Sequence, residues 1–265
     1  MQEHGLVEKD FSLFYRIVGK GEPVMLVHGF GEDSNIWETL EPALRENYRL
    51  IIPDLPGSGK STCNIEGITI ELLADHLHAI LEKEQITSCA MIGHSMGGYI
   101  TLAFAEKFPE RLSRFGLFHS TAYPDSDEKK DTRRKNMEFI RKHGSEKFIQ
   151  QTVPNLFSES FRKEHPEKVE NIVHRYSNFS PTSLVSYTAA MMNRPDRTSV
   201  LKSFGKPVLF IMGEYDNAVP IEQGLQQCSI PEFSYIYIAA HSGHMGMIEE
   251  PEFCLKAIQE FLSGE

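Results

Sequence analysis

Residues 90–105 read Ala90-Met91-Ile92-Gly93-His94-Ser95-Met96-Gly97-Gly98-Tyr99-Ile100-Thr101-Leu102-Ala103-Phe104-Ala105. An apolar run enters a G-x-S-x-G turn and a helix-like stretch leaves it, the sequence form of a nucleophile elbow. A serine at so tight a turn is driven toward a strained backbone conformation that lifts its side chain clear of the sheet. Strand and helix crowd together at positions 93 and 97, where a Cβ would clash, and glycine stands at both. The helix that starts here aims its first N–H groups at the serine, so the N–H of Met96 is a candidate donor to a developing oxyanion. A chemically idle glycine-rich turn would read the same over five residues. The rest of the chain decides, because an attacking hydroxyl needs a base, the base an orienting acid, and the oxyanion a second donor.

On either side, short apolar runs alternate with amphipathic stretches. Strands are expected at 11–18, 24–27, 48–52, 88–92, 114–118, 208–212 and 233–240, with Gly19-Lys20-Gly21 read as a hairpin turn. Helices are expected at 34–46, at 68–81 with its stripe of Leu72, Leu73, Leu77, Ile80 and Leu81, and at 253–261. Strands alternating with helices imply a mainly parallel sheet covered on both faces. Between Ser120 and Phe204 the strand signal stops. Helices are expected there at 127–143, 145–153, 167–178 and 181–192, punctuated by Pro154, Pro166, Pro181 and Pro195. This divides the chain into a core of residues 1–120 and 205–265 and a helical cap, 121–204, inserted into it.

The bulk numbers narrow the partners. A net charge of −10 over 265 residues argues against nucleic acid and anionic membrane. The longest apolar run, 235–240, is far too short to span a bilayer. Met1-Gln2-Glu3-His4 lacks a basic and apolar leader, and the scattered Cys63, Cys89, Cys228 and Cys254 form no C-x-x-C pair. A cytoplasmic protein without a metal site is expected, with the oligomeric state open between monomer and homodimer.

Asp216, in Gly213-Glu214-Tyr215-Asp216, follows the strand at 208–212, at the carboxyl edge where sites gather in open α/β sheets. It is placed to hold an imidazole; Glu214 and Asp196 are weaker rivals. The final strand runs into His241-Ser242-Gly243-His244-Met245, where either histidine is a candidate base. The second oxyanion donor is expected from His28-Gly29-Phe30-Gly31, at the N–H of Phe30, with His28 holding the loop and His94 shaping the elbow. Pro56-Gly57-Ser58-Gly59-Lys60-Ser61 imitates a phosphate-binding loop. The full pattern needs glycine at 54, where the chain has Asp54, and residues 63–67 do not begin a helix. His76 and His78 are two apart on a helix and point to different faces. The basic run 129–135 has acidic neighbours and reads as a solvated helix face.

Together, His28-Gly29-Phe30-Gly31, Asp54-Leu55-Pro56-Gly57-Ser58-Gly59-Lys60-Ser61, Gly93-His94-Ser95-Met96-Gly97-Gly98, Gly213-Glu214-Tyr215-Asp216 with Val219-Pro220, and Gly243-His244 with Glu250-Pro251-Glu252-Phe253 resemble the α/β-hydrolase fold superfamily. They span nearly the whole chain in the family's order. The resemblance implies an eight-stranded, mostly parallel sheet with a helical cap. It favours His244 over His241 as base, and a D-x-x-G-x-G-x-S loop that binds no nucleotide. Ser95 stands where dehalogenases and epoxide hydrolases of this fold carry aspartate. Esterases, thioesterases, carbon–carbon bond hydrolases and perhydrolase-like members share the elbow, and some relatives keep a complete triad yet serve as small-molecule receptors.

The expected chemistry is ester hydrolysis through an acyl-enzyme. Ser95 attacks, a neutral His244 takes its proton, Asp216 orients His244, and the N–H groups of Phe30 and Met96 hold the oxyanion. No cofactor is required. Val219 and Met245, with Met191 and Met192 from the cap, are expected to wall an apolar pocket for a small acyl substrate.

Overall fold

A computed structural model of the chain describes residues 2–8, 11–63 and 65–264. Met1 and Asn64, on which parts of the sequence reading fall, lie outside these, as does the side chain of Cys63. The strands are β1 Gln2–Glu8, β2 Phe11–Val18, β3 Glu22–Val27, β4 Tyr48–Pro53, β5 Thr62–Cys63, β6 Cys89–His94, β7 Leu112–Phe118, β8 Val208–Gly213 and β9 Ser234–Ala239. Eight form one sheet in the order β1-β2-β4-β3-β6-β7-β8-β9, and the two-residue β5 pairs with β2. From β4 to β9 every pairing is parallel; β2 pairs antiparallel with β1 and β4. The central strands β6 and β8 are buried at every position, as their unbroken apolar runs require.

Helices α1 Glu41–Leu44 and α11 Pro251–Ser263 bury their apolar stripes on one face of the sheet with Trp37, Leu50 and Ile211. On the other face lie α2 Ile70–Lys83 and α3 Met96–Lys107, packed with Met25, Met91 and Phe115. Between β7 and β8 come α4 Asp127–Thr152, α5 Glu159–Glu164, α6 Pro166–Tyr176, α7 Pro181–Asn193 and α8 Thr198–Ser203, with no strand among the described residues there. Gly144 breaks α4 (φ 83°, ψ 172°), at the boundary the sequence places between two helices. Two short helices, α9 Ile221–Gln227 and α10 Gly246–Glu249, follow β8 and β9. Among the described residues no helix is long and apolar enough to cross a membrane.

Two local expectations are corrected. Gly19-Lys20-Gly21 does not close a hairpin, because β4 lies between β2 and β3; the hairpin partner of β2 is β1, paired Gln2 to Ile17 through Glu8 to Phe11. The expected helix over 34–46 is a 3₁₀ turn, Ser34–Trp37, followed by α1. Asp33 caps the first piece by accepting Asn35 N–H (2.9 Å), and Pro42 opens the second, so one apolar stripe is served by two short helices.

Candidate active site

The parallel strands end side by side, so the residues that follow them are brought to one edge. Val27 is level with Gly93, His94 with Phe118, Phe118 with Ile211, and Gly213 with Ala239. Just beyond lie the 28–32 loop, Ser95, His119, Asp216 and His244, residues far apart in the chain.

Ser95 occupies the turn between β6 and α3 with φ 50° and ψ −114°, a left-handed backbone that costs a side-chain-bearing residue about 1–3 kcal/mol. Its surroundings hold it there: Ser95 N–H donates to Phe118 O (2.9 Å), and Ser95 O accepts from Gly98 N–H (2.9 Å) and Ser120 Oγ (2.7 Å). A Cβ at Gly93 would stand 2.2 Å from Gly97 O, and one at Gly97 would stand 2.3 Å from Val27 O. The elbow closes only with glycine at both. Ser95 is half-buried while its neighbours in 91–100 are buried.

His244 is buried, and its Nδ1 donates to Asp216 Oδ2 (2.8 Å). A carboxylate only accepts, so Nδ1 carries a proton, which in the neutral tautomer leaves the lone pair on Nε2. The other Asp216 oxygen accepts from Ala218 N–H (2.8 Å) and Val219 N–H (2.9 Å). Burial opposes the charge on Asp216, but the two imidazoles beside it outweigh burial and hold its carboxyl below the usual carboxylate range.

One of those imidazoles belongs to His119, which no sequence motif marked. It sits at positive φ (49°) just past β7, fully buried. Gly246 N–H donates to its Nε2 (3.2 Å), so its proton lies on Nδ1, 3.3 Å from Asp216 Oδ2. Burial pushes its pKa down to about 4 despite the carboxylate. His119, Asp216 and His244 bring potential ligand atoms within 4.8 Å of one another, which the His244 hydrogen bond and the 3.3 Å approach of His119 to one carboxylate account for.

A second buried pair joins three segments. His94 Nδ1 lies 3.0 Å from Glu32 Oε2 and His94 Nε2 lies 3.0 Å from His244 O. Both partners only accept, so both nitrogens carry protons and the ring is an imidazolium. Burial opposes this, but the Glu32 charge and hydrogen bond outweigh it and raise the His94 pKa. Glu32 is likewise held low against burial by His94 and by the N–H of Gly29, which donates to Oε2 (2.7 Å). The 28–32 loop, the elbow and the backbone of His244 are thereby fixed to each other.

His28 donates from Nδ1 to Gly29 O (2.8 Å) and accepts Leu55 N–H on Nε2 (2.9 Å), holding the loop as expected. Asp54 accepts Ser34 N–H (2.9 Å) and Lys60 N–H (2.8 Å), so a carboxylate fills the loop that imitated a phosphate site. The His244 loop is itself tied upward. His244 N–H donates to Leu156 O (2.6 Å), and Glu249 accepts from Gly243 (2.9 Å), Met245 (3.1 Å) and, across the interface, Ser158 (2.8 Å). The rival residues are engaged elsewhere. Glu214 and His241 are exposed, and Asp196 caps Thr198 N–H (2.8 Å).

Ser95 and His244 face one cavity of about 590 Å³ under α4 and α7, where Phe30, Val219 and Met191 also lie. Met96 is the first residue of α3, whose leading N–H groups have no partner inside the helix. Two pocket expectations fail. Met192 does not line the cavity, because consecutive helical residues point about 100° apart and Met191 takes the inward direction. Met245 is buried in the core against α11 rather than in the cavity wall. The basic run 129–135 is also not wholly solvated: Lys129 and Arg133, one turn apart on α4, face the cavity. The acidic neighbours that suggested a solvated face reach only some of its cations, since Arg134 pairs with Asp131 on the exposed side.

The chain belongs to the α/β-hydrolase fold family, whose sequence profile matches residues 22–251, and is a hydrolase of that fold. Several of the similar proteins are named as hydrolases or esterases. The chain is 31% identical to a thermophilic esterase from Thermogutta terrifontis, with a TM-score of 0.93 over 100% of this chain and 99% of that one. It is 26% identical to a 2-hydroxy-6-oxo-2,4-heptadienoate hydrolase of Pseudomonas putida, over 94% of this chain and 91% of that protein. An enol-lactonase from Burkholderia xenovorans LB400, at 22% identity and a TM-score of 0.89 over 96% and 97% of the two chains, shares the fold.

Proposed function

We propose that the chain is a serine hydrolase that cleaves a carboxylic ester of a small, largely apolar acyl compound, with Ser95, His244 and Asp216 as its triad. The single observation that carries this is the 2.8 Å bond from His244 Nδ1 to Asp216. It leaves the Nε2 lone pair of His244, which faces the same cavity as Ser95, as the acceptor for a proton. In the proposed cycle Ser95 Oγ attacks the acyl carbonyl while Nε2 takes its proton. Asp216 stabilises the imidazolium so formed, and the N–H groups of Phe30 and Met96 receive the oxyanion, a contact worth about 3–4 kcal/mol per donor in a comparable site. The imidazolium then protonates the leaving alkoxide. Water, deprotonated by His244, releases the acid and restores Ser95. The helices over residues 121–204 act as a cap that sets which acyl compounds enter. No cofactor takes part.

The esterase at 31% identity supports ester cleavage. The dienoate hydrolases of Pseudomonas putida and Metapseudomonas resinovorans, each 26% identical, favour a second reading, carbon–carbon bond hydrolysis by the same residues. A fluorophosphonate should label Ser95 in the wild type and leave Ser95→Ala unlabelled, and a panel of aryl esters of graded acyl length should show multiple turnover. Absence of labelling in folded protein would end the serine-hydrolase reading. Labelling with one slow turnover and a large ligand-induced rise in Tm would make the chain a small-molecule receptor.

A further inference from the structure

The cavity wall changes character along α4. After the break at Gly144 the helix contributes Phe148 and Ile149; before it, Lys129, Thr132, Arg133 and Asn136 face inward from successive turns. Tyr99 faces the same space from α3, one turn after Ser95. Tyr99 is only 3% exposed, and it lines the cavity, where its hydroxyl is open rather than engaged by another side chain of the described residues. A phenol hydroxyl on a cavity wall can donate to whatever occupies the cavity, so a ligand atom there is a natural acceptor.

The charges around it are unbalanced. The Arg194 guanidinium covers the Tyr99 ring 3.9 Å from its centroid. Arg194 bonds to Asp125 (2.7 Å), and Arg133 bonds to the other oxygen of the same carboxylate. Lys129 Nζ donates to Ala218 O (2.8 Å) and has no carboxylate partner among the described residues. Two of these cations therefore share the one Asp125 carboxylate, and the third has none. Of the other acidic groups facing the cavity, Glu128 is exposed to solvent and Glu32 is neutralised by His94. The same field acts on Tyr99: burial raises its pKa, but Arg194, Lys129 and Arg133 together outweigh burial and lower it.

We infer that Tyr99 Oη, Arg133 and Lys129 form a carboxylate-binding subsite, and that the substrate is an ester bearing a free carboxylate away from the bond Ser95 attacks. The inference rests on the ester-hydrolase reading and names its substrate class. The anionic end would take two charged donors and the Tyr99 hydroxyl, and the chain between carboxylate and ester would lie along Phe148, Ile149 and Met191. A hemiester of an aliphatic dicarboxylic acid has this form.

The test compares methyl hemiesters of dicarboxylic acids, over a series of chain lengths, with the neutral ester amides of the same shape. The wild type should favour the carboxylate by about tenfold in kcat/KM at its best length, with the preference shrinking as salt is added. Arg133→Gln and Lys129→Gln should each move the ratio toward one, Arg133→Lys should keep most of it, and Tyr99→Phe should lower it through KM. A wild type that treats acid and amide alike at every length would overturn the inference. So would an Arg133→Gln enzyme that loses the same factor on both substrates, since Arg133 would then only anchor α4. Calorimetric titration of the dicarboxylates into Ser95→Ala decides the subsite even if no ester is turned over. Salt-sensitive binding supports it and absence of binding overturns it, while absence of turnover and of fluorophosphonate labelling in the wild type counts against the hydrolase reading alone.

Discussion

At the carboxyl edge of the sheet, polar side chains are locked to their neighbours. Glu32, His94, His119, Asp216 and His244 are all buried, and they hold one another or a backbone group within 3.3 Å. In the inserted helices the buried groups are mostly apolar, and the polar side chains facing the cavity, such as Thr132 and Asn136, touch open space. One region fixes a geometry in place at the cost of burying charge; the other presents a surface that can change without disturbing it. In the proposed reading, chemistry belongs to the first and selection to the second.

The sharpest way to break this division is within the edge itself. Asp216→Asn should keep the fold and lower kcat by about 10⁴-fold, because an amide in place of the carboxylate no longer secures the His244 tautomer; steady-state kinetics on an aryl ester reads this. Glu32→Gln removes one partner of a buried ion pair and should cost about 3 kcal/mol, seen as a lower Tm, with kcat falling as well because the 28–32 loop and His244 share that anchor.

Two milder tests sharpen the contrast. His119 has a folded pKa of about 4 against an ordinary value of 6.5. The unfolded chain therefore binds the extra proton first as pH falls, and stability drops from pH 6.5 toward 4. The Tm of His119→Gln should fall less steeply than that of the wild type across that window. Glu32 acts in the same direction as His119 and His94 in the opposite one. The lowered Glu32 pKa contributes stability above its ordinary 4.5 that is lost as pH falls, and the raised His94 pKa contributes stability below 6.5 that is lost as pH rises past its folded value. The smallest effect belongs to the cap. Met191→Ala should shift acyl-length preference a few-fold toward longer chains, and Met192→Ala should not, measured on the same ester series.

How much of this was legible in the sequence depended on how local its cause is. The buried strands showed as apolar runs and the elbow as glycine spacing, because crowding within a few residues dictates both. Asp216 was read from its place after a strand end, whereas the last strand end left His241 and His244 both open and the family resemblance favoured His244. The edge strand Gln2–Glu8 left no period to read, and Gly19-Lys20-Gly21 could not reveal that β4 would intervene. His119 and Glu32 matter only through the register that sets β7 beside β8 and the 28–32 loop beside His94, contacts spanning 62 residues or more. Lys129 and Arg133 were misjudged because acidic neighbours in sequence do not say which face of α4 they cover.

The ties from Leu156 and Ser158 to the His244 loop give the cap a mechanical role. Leu156 O accepts the N–H of His244, and Glu249 bridges Ser158 to Gly243 and Met245 on either side of it. Burial pushes the Glu249 carboxyl up, against the pull of the N–H groups it accepts. Residues 156–158 and 243–245 are therefore tied to each other, and His94 ties the same loop to the elbow that carries Ser95. In the proposed reading, the seating of the inserted helices and the placement of the base thus share one set of hydrogen bonds, through Leu156 O and Glu249.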